Sequence, residues 1–118
     1  MIDLLKLKCK EPIPGELPLT DKEINDYLPL IDGWRLLEGE GEKGLGKRFP
    51  FKNFSDGLAF TNQVAALAEE ENHHPGIFLA WGRVIISWRT HKVKGLSLND
   101  FIMAAKTDEV YKNLAQPV

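Results

Sequence analysis

The sequence predicts an α+β domain: a four-stranded antiparallel sheet with helices packed on one face, in the order helix, two strands, helix, two strands, helix. Three observations predict it. Helix starts are marked by capping residues near positions 20, 53 and 97. Two pairs of β-rich runs lie between those helices, each pair joined through glycine. A chain of 118 residues with 43% hydrophobic content has enough material for one core, so residues 1–118 read as a single domain.

Residues 1–19 hold Pro12, Pro14 and Pro18, and should form an irregular or briefly extended arm. Thr20 with Glu23 is a capping box, and "TDKEINDYLPLI" then sets Ile24, Tyr27 and Leu28 on one face before Pro29 disturbs the pattern. "GWRLLEGE" and "GLGKRFPF" read as a hairpin around the glycine-rich "GEGEKG", with Pro50 at a sheet edge or strand end. Asn53 is placed to cap a long helix through "FSDGLAFTNQVAALAEEEN". Its expected apolar stripe contains Phe54, Leu58, Thr61, Val64, Ala65, Leu67 and Ala68. Pro75 and Gly76 should end that helix.

"IFLAW" and "RVIISWRTH" form the second strand pair, turning at Gly82. Alternation assigns Val84, Ile86, Trp88 and Thr90 to the covered face, and Ile85, Ser87, Arg89 and His91 to the open one, with His91 at the strand end. Ser97 with Asp100 predicts a capping box for a last helix that turns Phe101, Ile102, Ala105, Val110 and Leu114 inward. The open sheet face and the edge strands predict self-association.

Composition narrows the function. A formal charge of −2 and a pI near 5.9 argue against nucleic-acid binding, and Lys47-Arg48 and Lys92 with Lys94 read as solvated surface. "MIDLLKLKCKEP" lacks the apolar run of a signal peptide, and no stretch reaches the ~18 apolar residues of a membrane span. A cytoplasmic protein without membrane contact is the expectation. The single cysteine, Cys9, has no partner for a disulfide or a Cys-based metal site and reads as an ordinary thiol.

The chain has three histidines, and two are adjacent, in "EEENHHPGIF". His73, His74 and His91 admit three readings. Histidines at a helix C-terminus can cap carbonyls and complement the macrodipole. Three imidazoles can hold zinc, although adjacent side chains diverge by roughly 100° on a helix or 180° on a strand, which works against a shared ion. Acid/base catalysis without a metal is the third, since an imidazole pKa of about 6.5 lets one ring donate a proton while another accepts one. Diverging rings facing a third would surround a small planar substrate. No nucleophilic triad and no glycine-rich phosphate loop accompanies them.

Glu69, His73-His74-Pro75, Trp81, His91 and Asp100, at these separations, resemble the active-site pattern of pterin-4a-carbinolamine dehydratases. The resemblance spans nearly the whole chain, through "PLTDKEI", the Gly33-Trp34 pair, Phe49, Phe51 and Phe54, and "THKVKGLSLND". It implies a cofactor-free, metal-free dehydratase that converts 4a-hydroxytetrahydropterin to quinonoid dihydropterin and water in tetrahydropterin recycling, acting as a homodimer or homotetramer. His73 and His91 would alternate as acid and base, while His74 mainly holds the pterin. Asp100 would orient His91 or bind the pterin edge besides capping its helix, and Glu69 would steady His73 or remain a solvated carboxylate. Trp34 and Trp81 would line the pterin pocket or pack in core or interface. Ile77 stands where the pattern has an aromatic, and Arg89 adds a cation on His91's face. The different-class alternative is a non-catalytic pterin- or protein-binding dimerisation module, regulatory or molybdopterin-related.

Overall fold

The computed structural model describes residues 2–39 and 41–114. Helix α1 spans Asp21–Tyr27, strand β1 Arg35–Gly39, β2 Glu42–Pro50, helix α2 Phe54–Glu71, β3 Gly76–Ala80, β4 Arg83–Trp88 and helix α3 Leu98–Leu114. The sheet is antiparallel throughout, in the order β1-β2-β4-β3, so β1 and β3 are its edges. The expected class and element order are those observed.

Local chemistry explains the helix boundaries. Thr20 accepts from the Glu23 N–H while Glu23 accepts from the Thr20 N–H, closing the predicted box on α1. Asn53 Oδ1 accepts from the Asp56 N–H at 2.8 Å and starts α2. Asn72, not Pro75, stops α2: it adopts the left-handed conformation at φ 55°, ψ 42°, which asparagine tolerates better than other non-glycine residues. The His73 N–H then reaches back to the Ala68 carbonyl at 3.1 Å. Both adjacent histidines therefore lie beyond the helix.

The covered sheet face carries Leu45 and Phe49 from β2 and Val84, Ile86 and Trp88 from β4, all essentially buried. Phe60, Val64 and Ala68 of α2 and Phe101, Ile102, Met103 and Ala104 of α3 close over them. Full burial of side chains of this size contributes about 1.5–3 kcal/mol each relative to exposure, which makes this layer the main source of stability. Thr90 follows the alternation of β4 inward, but the strand ends at Trp88 and His91 opens a 3-10 turn, His91–Val93, instead of ending the strand.

The stripe expected on α2 holds at Val64, Leu67 and Ala68 but is displaced in the first half of the helix. Gly57 and Phe60 face the sheet, whereas Phe54 and Leu58 are 44% and 41% exposed. Gly57 explains the rotation: a Cβ there would meet Leu79 Cδ1 at 3.2 Å and Val84 Cγ2 at 3.4 Å, so its absence lets the helix sit directly on β3 and β4. Lys47 also departs from expectation. Opposite Ile86 on the covered face, it reaches Asp108 at 2.9 Å and lies over the rings of Trp34 and Phe49.

Residues 2–20 contain one 3-10 turn, Leu4–Lys6, whose Leu4 enters the core. Farther along, the Asn99 side chain clasps the backbone of Lys10 on both sides, accepting its N–H at 2.9 Å and donating to its carbonyl at 2.7 Å. The Cys9 N–H donates to Glu71 Oε1 at 2.9 Å. The arm is thereby strapped across the C-terminal end of α2 and the first turn of α3. Among the described residues no helix is long and apolar enough to cross a membrane.

Candidate active site

The junction of the strap, the end of α2 and the turn after β4 encloses an open cleft of about 320 Å³. Asn72, His73 and His74 line one side and Arg89, Thr90 and His91 another. Glu11 and Pro12 of the strap and Lys92 complete it. The three histidines, scattered over 19 positions of sequence, thus border one cleft although no two share a regular element.

His73 is the most constrained of them. Its Nε2 lies 2.7 Å from Oδ1 of Asp100, and its ring stacks on that of Trp88 at 5.6 Å between centroids and 17° between planes. Asp100 is wholly buried, and its other oxygen accepts from the Thr90 hydroxyl at 2.7 Å and the Ser97 N–H at 2.9 Å. Because Thr90 donates to Asp100, the Ser97 hydroxyl 2.7 Å away must donate to Thr90. Half of the predicted capping box survives: Asp100 takes the Ser97 N–H, but the Ser97 hydroxyl turns to Thr90 instead of the helix end.

Three donors converge on one buried carboxylate, so Nε2 of His73 carries the hydrogen that Asp100 accepts. In the neutral ring Nδ1 is then the basic nitrogen. A buried carboxylate that fixes the tautomer and angle of an imidazole leaves the ring's other nitrogen oriented to accept a proton.

His74 diverges from His73 and meets Glu69 at 2.5 Å on the surface, where both side chains are more than half exposed. His91 is 86% exposed, and its Nδ1 faces Glu42 Oε1 at 3.5 Å. Two expected pairings are therefore corrected: Asp100 holds His73 and not His91, and Glu69 reaches His74 and not His73. The reason is that the left-handed Asn72 swings His73 inward, to the first turn of α3, while His74 is left over the last turns of α2.

The two tryptophans lie elsewhere. Trp34 is buried, donating Nε1–H to Asp108 at 3.0 Å and meeting Phe49 edge-on, so it packs in the core. Trp81 sits 68% exposed in the turn between β3 and β4. Neither borders the histidine cleft. Sequence reasoning missed Thr90 and Ser97 as supports of the site; the available signal was a threonine in the core register of β4, a polar group that needs a buried partner. It also missed the strap, whose irregular sequence shows no periodicity.

Beneath the strap, Glu71 accepts from the Cys9 N–H and from Lys106 Nζ at 2.9 Å. Burial alone would push its carboxyl up, but these two donors and Lys8 outweigh it and hold Glu71 below the usual carboxylate value. Burial, reinforced by the charge of Glu71, pushes the Cys9 thiol up to about 12.

A sequence profile of the family described as pterin 4 alpha carbinolamine dehydratase matches residues 17–110. The chain belongs to this family. It is 46% identical over 112 residues to a protein of Microcystis aeruginosa provisionally named a pterin-4-alpha-carbinolamine dehydratase, a match that covers 95% of this chain and 97% of the relative. A Marinobacter nauticus protein with the same provisional name is 53% identical over 111 residues, covering 94% of this chain and 100% of its own. A solved structure from Brucella melitensis, described as a transcriptional coactivator/pterin dehydratase, superposes with a TM-score of 0.72 at 35% identity over 79% of this chain and 97% of the other. A pterin dehydratase-like protein identified as a RuBisCO assembly factor in the alpha-carboxysome superposes with a TM-score of 0.58 at 28% identity, over 68% and 90%. Pterin-4a-carbinolamine dehydratase sequences and folds thus accompany more than one described role.

Proposed function

We propose that this family member is a dehydratase that removes water from a 4a-hydroxytetrahydropterin by histidine acid/base catalysis. The reaction breaks the C4a–O bond, with a proton delivered to the departing hydroxyl, and removes the N5 hydrogen as a proton. The N5 electron pair forms the C4a=N5 bond of the quinonoid dihydropterin, and no electrons leave the substrate. Two groups that exchange protons near neutral pH are sufficient, each contributing about 10²–10⁴-fold.

The observation that carries this reading is His73, fixed by Asp100 and stacked on Trp88, bordering the same cleft as His91. His73 and His91 take the acid and base roles, His74 contributes to holding the pterin, and Asp100 is a positioning residue. The activity would return a hydroxylase's tetrahydropterin to use, in the cytoplasm. Stopped-flow ultraviolet absorbance of 4a-hydroxytetrahydropterin, generated in situ, tests it with wild type, His73→Ala and His91→Ala under chelator. Wild type should accelerate decay and both variants should lose ~10²-fold or more. Decay no faster than buffer with wild type rejects the dehydratase.

A binding module is the second reading, and one observation favours it. Phe54 and Leu58 on α2, and Phe78 and Trp81 at the β3 edge, leave large apolar side chains exposed. Such a surface suits a second copy of the chain as dimer or tetramer, or another protein. Sedimentation as a monomer at micromolar concentration would reject self-association.

A further inference from the structure

The cleft holds one carboxylate among its described lining residues, Glu11, and it comes from the strap, outside the 17–110 segment that the family profile matches. Glu11 Oε2 is hydrogen-bonded to Lys92 Nζ, so a carboxylate and an ammonium stand side by side at the border of the cleft that His73 and His74 also line. The backbone just before Glu11 is clasped by Asn99 and Glu71, and Pro12 follows with its restricted φ. An exposed side chain is thus carried on a backbone that is already ordered, which lowers the entropic cost of using it for recognition.

The chemistry of the pair is specific. A pterin presents along its pyrimidine edge a 2-amino donor, an N3–H donor and a 4-oxo acceptor. Its complement is two acceptors beside one donor, which is what a carboxylate next to an ammonium supplies. We infer that Glu11 and Lys92 form the recognition site for the 2-amino-4-oxo edge of the substrate, Glu11 accepting from the 2-amino group and N3–H and Lys92 donating to the 4-oxo oxygen. This rests on the dehydratase reading of the same cleft. It makes Glu11 a specificity-determining residue: the strap reads which pteridine enters, and the histidines act at the opposite ring.

Calorimetric titration of the full chain with 7,8-dihydropterin, and with the analogue lacking its 2-amino group, provides the test. Wild type should bind dihydropterin at least about tenfold more tightly than the desamino analogue, as expected of charge-assisted hydrogen bonds at a partly exposed site. Glu11→Gln should lose most of that preference, weakening dihydropterin by about tenfold and the analogue, which keeps only the N3–H partner of Glu11, by clearly less. In the dehydration assay the same variant should raise KM with kcat nearly unchanged, a split that disturbance of the fold would not produce. Lys92→Met should weaken both ligands, because both keep the 4-oxo group. Wild-type discrimination that persists in both Glu11→Gln and Glu11→Ala overturns this inference while the dehydratase reading stands. A wild type that binds neither pteridine overturns both.

Discussion

Oδ1 of Asp100 lies 2.7 Å from Nε2 of His73 and joins a fully buried carboxylate to a ring that is 12% exposed. The contact links the chain just beyond α2 to the first turn of α3 across 27 residues of sequence, and Thr90 and Ser97 hold its far side. Stability and proposed chemistry therefore meet in one hydrogen-bonded group.

The histidines should separate when stability and activity are measured together. His73→Ala leaves Asp100 buried without one of its donors and should cost about 1–3 kcal/mol in urea denaturation, whereas exposed His91→Ala should stay within about 0.5 kcal/mol. Both should lose dehydration. Asp100→Asn presents an N–H to donors in at least one direction, or turns His73 to the other tautomer. A loss of about 10²–10⁴ in rate with His73 intact is expected, and a variant as active as wild type would remove Asp100 from the proposed mechanism.

Glu71 gives the strap a pH dependence. Its folded-state pKa lies below its unfolded value, so the unfolded chain takes up the proton first as pH falls. The stabilisation is complete above the unfolded value near 4.5 and is lost as pH drops through the folded one. Glu71→Gln should destabilise by about 1 kcal/mol or more at pH 7, a gap that narrows in urea midpoints as pH falls below the unfolded value. A gap that is constant with pH would contradict the assignment.

Cys9 should be sluggish. With its thiol pushed up to about 12 by burial and by the charge of Glu71, the native protein should react with iodoacetamide at pH 8 at least about tenfold more slowly than free cysteine. Glu71→Gln should speed the reaction by removing that charge and loosening the strap. Equal rates for native and urea-unfolded protein would show that the strap does not protect the thiol.

Trp34 should prove structural. Trp34→Phe keeps the ring against Phe49 but removes the donor to Asp108, and should cost about 1 kcal/mol while leaving KM for the pterin unchanged. A raised KM would return Trp34 to the substrate.

Capping chemistry and alternation belong to short stretches of chain, which is why the sequence alone determined the α+β order, the starts of α1 and α2, and the covered face of β4 down to Thr90. The histidines, Asp100 and Glu69 were visible as a spaced pattern through their resemblance to a family's active-site pattern. The pairings were not, because a single left-handed residue, Asn72, redirects two adjacent side chains, and no periodicity encodes that turn. The face that the first half of α2 buries was decided by packing: Gly57, which fits against Leu79 and Val84, and Phe60 turn to the sheet, and Phe54 and Leu58 are left exposed. The strap depends on tertiary contacts, since the hydrogen bonds from Asn99 and Glu71 that hold it go to its backbone, which no side-chain pattern announces. Only the folded chain brings Glu11 to the histidines.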